Sequence, residues 1–348
     1  MKNVCVRMAN DDEIQNWDKL LATNPDGGDV LQTKTMTTIK HAQGWASEYW
    51  IYETDFGKVY ATVLARNLRG FGRLCYMMRG PGVINADQFK QIVKLNQTWD
   101  KKSFAIKMEP PITDTVKSSE KLVKVRNIQP NAHTILVNLS PNEDEILASF
   151  RQRARREIRA AEKDGVTARK VGFNQETIDQ MFDLYEQTGK RAGFFIRPKS
   201  YYKNFWQQFH DAGEGDLYFA YAKDDKQPIA GAFICKLGSK ALYKDGGSGR
   251  SGAKHFAHLL QWEIMKDLKS QGITQYDLHG VPPADQLDNK NHPLAGLAMF
   301  KMSFSQNVTD YVGAFDQILK PSVYKKWIRF GQRLHQAWAH RIKKTTLY

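Results

Sequence analysis

The stretch Ala241-Leu-Tyr-Lys-Asp-Gly-Gly-Ser-Gly249 decides the reading of this 348-residue chain. It is a short strand-like run that ends in glycines, and a helical pattern follows it, from about Ser251 to Gln271. Leu217–Tyr221 and Ile229–Lys236, two further strand-like runs, precede it, and a strand at Gln275–Leu278 closes the series. The same order occurs earlier in the chain. Runs at Glu48–Glu53, Lys58–Ala65 and Arg73–Met78 lead to Arg79-Gly-Pro-Gly82. A helix over Ala86–Lys101 follows, with Phe89, Ile92, Val93 and Trp99 on one face, and then a strand at Phe104–Met108. Apolar period two for strands and period 3.6 for helices carry these assignments. The spacing predicts two copies of one β-β-β-α-β unit, an α/β (α+β) architecture.

Between the copies, Ser140-Pro141-Asn142-Glu143 reads as a capping box with proline at the first helical position, and Asp164-Gly165 reads as the stop. The expectation is one long connecting helix. At about 100° per residue, Ile146, Leu147, Phe150, Ala154, Ile158 and Ala161 share an arc of about 120°. Arg151, Arg153, Arg155, Arg156 and Arg159 fill the remainder, relieved by Glu157 alone. That face is either a solvated surface or an anion-binding one. Further helices are expected near Glu176–Arg191 and Pro198–Ala212, with a last strand at Asn307–Phe315. After Pro321 a C-terminal helix carries Val323, Trp327, Phe330, Leu334, Trp338 and Ile342 at spacings of 3 or 4, among Lys and Arg. Its stripe either packs on the body of the protein or meets a membrane surface or nucleic acid.

Composition narrows the function classes. Lys and Arg number 51 against 37 Asp and Glu, a formal charge of +14, which favours polyanionic partners. At 41% hydrophobic residues the chain can bury a core of ordinary size. No apolar run reaches the length of a membrane span, and Met1–Met8 has no apolar signal core. Cys5, Cys75 and Cys235 are odd in number and far apart, so neither a disulfide framework nor a zinc cluster is expected, and a reducing cytoplasm fits. No repeat of 20–50 residues is visible.

Familiar catalytic signatures are missing: no phosphate loop with Gly-Lys-Ser/Thr, no His-Glu-x-x-His, no Cys-x-x-Cys and no Gly-x-Ser-x-Gly elbow. Asp245-Gly-Gly-Ser-Gly249-Arg250 is compatible with a phosphate cradle and equally with a tight turn. His255 and His258, three apart and without Cys or carboxylate neighbours in sequence, read as surface or core histidines rather than ligands. Two stretches carry more. Arg197 precedes a proline at a helix start and Tyr201 follows one turn later, a grip suited to phosphate or carboxylate. Lys301 lies between apolar neighbours in Leu297-Ala-Met-Phe300-Lys301-Met-Ser-Phe304. It is either a snorkelling lysine or a cation placed in a partly dry site to steady negative charge.

Taken together, these pieces resemble the FemABX family of aminoacyl-tRNA-dependent peptidyltransferases, which build side-chain bridges on peptidoglycan precursors. The resemblance spans essentially the whole chain. It rests on Arg159-Ala-Ala-Glu-Lys-Asp-Gly165-Val, Arg197-Pro-x-x-Tyr201, Tyr243-x-x-Gly-Gly-Ser248, Leu260-Gln261-Trp262, Tyr276-Asp-Leu-His-Gly280, Phe300-Lys301 and Tyr311-Val-Gly313. It implies two GNAT-like acyltransferase units, the second inserted into the first, with domain 1 over 1–140 plus 313–348 and domain 2 over 141–312. It also implies catalytic roles for Phe300 and Lys301, with the lysine acting at the tRNA 3′ end and the reacting ester. Lys40, Arg197 and Tyr201 would hold the muramyl-peptide precursor, with Tyr243 and Asp245 near a substrate-lining strand.

The resemblance has departures. Asp245 stands where some relatives carry an aromatic, Ser305 where many have glycine, and Ala314 where some have an acid, and the coiled-coil arm of some members is missing. Transfer RNA would then be held by the globular surface, including Arg151, Arg155, Arg156 and Arg159. The implied partners are aminoacyl-tRNA and UDP-MurNAc-pentapeptide or lipid II, with contact to an anionic membrane from the cytoplasmic side. No cofactor or metal is expected, and a monomer is favoured. A CoA-dependent N-acyltransferase and a non-catalytic polyanion-binding protein are the alternatives.

Overall fold

The computed structural model describes residues 4–129, 132–193, 196–249 and 255–343, with side chains to residue 337. In chain order the elements of the first unit are β1 (Cys5–Met8), α1 (Asp11–Gln15), α2 (Trp17–Leu21), α3 (Lys34–Ala42), β2 (Ala46–Thr54), β3 (Gly57–Leu68), β4 (Gly72–Met77), α4 (Ala86–Trp99), β5 (Ser103–Met108) and β6 (Leu122–Val125). The second unit follows with β7 (His133–Asn138), α5 (Glu143–Ser149), α6 (Gln152–Lys163), β8 (Thr167–Lys170), α7 (Gln175–Ala192) and α8 (Lys199–Asp211). It continues through β9 (Gly215–Tyr221), β10 (Pro228–Leu237), β11 (Lys240–Ser248), α9 (Phe256–Ser270), β12 (Gln275–Asp277), α10 (Ala295–Lys301) and β13 (Val308–Asp310). The chain then returns to the first unit with β14 (Ala314–Ile318), α11 (Pro321–Lys326) and α12 (Gln332–Lys343). The second unit is thus inserted in the first, as the resemblance implies.

The first unit has a seven-stranded sheet in the order β1-β2-β3-β4-β5-β14-β6, and the second has one in the order β13-β7-β12-β11-β10-β9-β8. In each sheet one neighbouring pair is parallel, β4 with β5 and β11 with β12, and the helix between the paired strands (α4 or α9) makes the crossover. The first core gathers Trp50, Val63, Phe89, Ile92, Ile106 and Phe315. The second gathers Phe150, Ile158, Tyr218, Leu260, Trp262 and Phe304.

Three expectations need correction. The boundaries fall at Ala132/His133 and Asp310/Tyr311, not at 140/141 and 312/313. β7 pairs with β12 and β13 of the second sheet, while the amides of Tyr311 and Val312 bond to Ala132 and Ile112 of the first unit. For the same reason the run Asn307–Phe315 is not one strand but two, divided between the sheets. At the junction His133 and Asp310 are register partners, and His133 Nδ1 lies 2.8 Å from the Asp310 carboxylate, clasping the two ends of the insert.

The connecting helix is also two helices. Asn142, not Ser140, is the cap, forming its box with Glu145, and Pro141 precedes the helix. Phe150 (ψ 151°) and Arg151 (ψ 149°) are extended and separate α5 from α6. Phe150 turns inward between Trp262 (5.7 Å) and Phe304 (5.2 Å), and the Arg151 amide bonds to Ser303 O at 2.9 Å. Arg155 Nη1 closes the break by donating to the carbonyls of Ala148 (2.8 Å) and Phe150 (2.5 Å). Arg155 is therefore half-buried and committed, whereas Arg151, Arg153, Arg156 and Arg159 are exposed along α6.

Candidate active site

β11 is nine residues long but pairs with β12 at only three positions, Lys240↔Gln275, Ala241↔Tyr276 and Leu242↔Asp277. Beyond Asp277 the chain keeps to β7 instead: the Leu278 amide bonds to Ile135 O and the Val281 amide to His133 O, both at 3.0 Å. The parallel pair therefore parts at Tyr243 on one side and at His279 on the other. The backbone turns sharply there, with His279 at φ 60° and Gly280 at φ 37°. A histidine in the left-handed region is strained and persists only where its surroundings enforce it.

Lys301, the last residue of α10, supplies that enforcement. The residue is 6% exposed, and its ammonium donates to the carbonyls of His279 and, at 3.0 Å, Gly280. Burial lowers its pKa to about 8, opposed by the Asp277 carboxylate. It therefore remains cationic near neutrality. Asp277 is itself engaged, accepting from Thr134 Oγ1 and from the His279 amide at 2.7 Å. Among the described residues Lys301 makes no ion pair. Two of its three N–H donors are used by carbonyls, and the third has no partner among the described residues.

Phe300 lies edge-on to His258 (4.9 Å) and to Phe304 (5.4 Å), which keys α10 into the second core. His258 is buried; burial pushes it down to about 4, so its imidazole is neutral, and Nε2 has no hydrogen-bond partner among the described residues. The sequence reading as a core histidine fits this packing. His255 is instead paired with Glu157.

The proposed precursor grip forms a second cluster in the same unit. The Arg197 guanidinium lies 4.6 Å from the centre of the Tyr201 ring, and the Arg197 amide donates to the Tyr202 hydroxyl at 3.3 Å. Tyr202 contacts Tyr185 (4.9 Å) and Trp206 (5.6 Å), and Trp206 Nε1 donates to the buried Asp245 carboxylate at 2.9 Å. Asp245 thus ties the end of β11 to α8. Burial, with Asp245 beside it, pushes the Tyr243 phenol up to about 12.

The glycines after Asp245 are steric necessities. A Cβ on Gly246 would lie 1.7 Å from the Tyr243 hydroxyl, and one on Gly247 would lie 2.5 Å from the backbone of Leu184 and Tyr185. Arg250 and the expected helix start at Ser251 lie outside the described residues.

Lys40 is in the first unit, buried on the last turn of α3, with Nζ 3.3 Å from Gln43 Oε1. That unit also holds a small, half-open pocket that sequence reasoning missed, lined by Arg79, Glu109, Asn127, Gln129 and Tyr311. Arg79 (φ 47°) pairs with Asp29 at 3.1 Å and stacks 4.4 Å from the Tyr311 ring. Glu109 accepts from Tyr76 Oη and from the amides of Ile128 and Gln129. The only signal for it in sequence was Tyr311-Val-Gly313. Among the described residues no group of His, Cys, Asp or Glu is arranged to hold a metal.

Comparisons with known proteins agree with this architecture. A family model described as an acetyltransferase (GNAT) domain matches residues 148–286. A Lipid II:glycine glycyltransferase of Staphylococcus aureus is 24% identical over 93% of this chain and 96% of its own length. Its counterpart in Staphylococcus epidermidis is 23% identical over 93% and 95%. The first alignment runs to 416 positions, so that relative carries segments without a counterpart in this chain. Among solved structures, FemX superposes with a TM-score of 0.77 at 21% identity, over 92% of this chain and 99% of that one. L-PGS from Bacillus licheniformis, at 12% identity over 94% of this chain and 99% of that one, gives a TM-score of 0.50.

Proposed function

We propose that this chain, FemABX-like in sequence and fold along more than nine-tenths of its length, transfers an amino acid from aminoacyl-tRNA to the stem-peptide amine of a peptidoglycan precursor, forming an interpeptide bridge. The amine nitrogen attacks the ester carbonyl and forms a C–N bond. The tetrahedral oxyanion collapses, the C–O bond to the tRNA ribose breaks, and the proton lost by the amine accounts for the one gained by the ribose hydroxyl. The ester is already activated, so catalysis consists mainly of positioning and of charge stabilisation at one oxygen.

The observation that carries this reading is Lys301. It is a buried, unneutralised ammonium held by two backbone carbonyls where β11 and β12 part. Its remaining N–H suits a developing oxyanion. Phe300 positions it through the His258 and Phe304 rings. Arg197 and Tyr201 offer a cation and a phenol to the precursor's phosphate or carboxylate groups, with Tyr243 serving from the parted strand and Lys40 from the first unit. The exposed Arg151, Arg156 and Arg159 supply a salt-sensitive surface for tRNA phosphates, with Arg155 fixing the helix break beneath them. The glycyltransferase names of the relatives support glycine as donor residue and lipid II as acceptor.

The GNAT match over 148–286 supports a second reading, an acyl-CoA donor at the same strand parting. One experiment separates them. The full chain is offered UDP-MurNAc-pentapeptide or lipid II together with glycyl-, alanyl- or seryl-tRNA, or with acyl-CoA, and the product is weighed by mass spectrometry. A gain of one amino-acid residue only with charged tRNA is expected. Gain from acyl-CoA alone overturns the tRNA reading, and no gain from any donor overturns both.

A further inference from the structure

From Gln317 to Tyr348 the sequence carries eight Lys and Arg and no Asp or Glu. The α11–α12 helix in this segment docks by only part of the stripe its spacing predicts, through Trp327 and Phe330 but not Leu334. Between the two α-helical parts, Trp327–Gly331 is a π-helical turn, which adds a residue and rotates α12 relative to α11. The residues that pack on the body of the first unit are Tyr324, Trp327, Phe330, Gly331 and His335, with the Phe330 ring 5.8 Å from Phe71. Tyr324 Oη donates to Asp316 at 2.9 Å. Trp327 is 1% exposed against Phe71 (5.3 Å) and Phe104 (5.7 Å). Gly331 sits so close that a Cβ would fall 2.4 Å from the Phe71 ring, and His335 lies over Phe71 at 5.9 Å.

Docking by this face leaves other apolar residues outside. Ile328 is 45% exposed and Leu334 62%, and Phe330, one side of which packs on Phe71, is 44% exposed, with Lys325, Lys326, Arg329 and Arg333 exposed around them. Trp338 and Ile342, the last members of the predicted stripe, have side chains outside the described residues. A solvated helix has no use for three large apolar side chains ringed by unopposed cations. That combination matches an interface with anionic headgroups above and acyl chains below. No described helix is long and apolar enough to cross a membrane, so the contact is one of lying on the surface.

We infer that the outer face of this C-terminal helix docks the protein onto an anionic lipid bilayer, with Phe330 and Leu334 entering the headgroup region and Lys325, Lys326, Arg329 and Arg333 contacting the headgroups. The inference is independent of the transfer reaction and stands or falls separately from it. The test sediments the full chain with vesicles of phosphatidylglycerol mixed into phosphatidylcholine, or of phosphatidylcholine alone, at physiological salt. Binding to the anionic vesicles at least about tenfold tighter than to the neutral ones is expected. Phe330→Ser with Leu334→Ser weakens it about tenfold or more, and Gln at the four cations abolishes it. Transfer to a soluble acceptor is unchanged in both.

Thermal melts check that these surface variants fold, and Leu334→Glu alone serves if the double variant does not. Absence of vesicle binding overturns the inference, as does a Leu334→Glu variant that binds like the parent. If the four-cation variant loses retention of tRNA while keeping vesicle binding, the face belongs to nucleic acid and the inference also fails.

Discussion

Each unit places one buried lysine beside its parallel strand pair, and the two are neutralised differently. In the first unit β4 and β5 stay paired from Arg73↔Ser103 to Met77↔Met108, and the Glu109 amide extends the contact to Gly80 O at 2.9 Å. Its lysine, Lys107 on β5, is 2.5 Å from the Asp316 carboxylate, which Tyr324 also contacts. In the second unit the pair parts after three positions, and Lys301 meets only carbonyl oxygens. A buried cation with a carboxylate partner stabilises a sheet and has little charge left to offer a substrate. One held by neutral dipoles keeps its field available. The same element order therefore serves as scaffold in one half and as candidate catalytic centre in the other.

This contrast can be broken from either side. Lys107→Met strands a buried carboxylate and is expected to cost about 3–5 kcal/mol in urea unfolding. Adding Asp316→Leu should recover most of that loss, as a double-mutant cycle would show. If Lys107→Met costs under about 1 kcal/mol, the structural role is wrong. Lys301→Met is expected to lower the transfer rate about 10²- to 10³-fold with precursor affinity largely kept. An equal loss of affinity and rate would place Lys301 in binding instead.

The pH profile sharpens the same point. With the ammonium required and its pKa lowered to about 8, activity should decline as pH rises through about 8. That alkaline limb should vanish from the residual rate of Lys301→Met, while an acidic limb from the acceptor amine persists in both. The smallest effect is expected at the grip. Arg197→Ala should weaken precursor affinity about tenfold, or about 1.4 kcal/mol, with the rate at saturation unchanged. Isothermal titration with the UDP-linked precursor measures it, and unchanged affinity removes Arg197 from the grip.

The doubled order of elements was legible because period-two and period-3.6 patterns are local. Lys301 was singled out for a similar reason, since a lysine among Leu297, Phe300 and Phe304 has few environments open to it. What escaped depends on distant partners. Nothing local in Phe150-Arg151 predicts a break that is held by Ser303 O and an inward-turned ring. The run Asn307–Phe315 reads as one strand because only pairing reveals that it changes sheets. The parting of β11 from β12 is a matter of register, and the π turn at Trp327–Gly331 is set by Phe71, more than 250 residues earlier. The Arg79–Glu109 pocket draws its lining from four separate segments, of which only Tyr311-Val-Gly313 carried a signal in sequence.

The insertion has a consequence for biosynthesis. β14 sits between β5 and the edge strand β6 of the first sheet, yet it comes after the entire second unit in the chain. A ribosome releases Asp310, and with it every strand of the insert, before it delivers Ala314–Ile318. While the insert folds, β5 and β6 wait with open edges, a state exposed to mispairing. The clasp between His133 and Asp310 closes the insert so that the returning chain, at Tyr311, emerges beside Ala132, the point where it left.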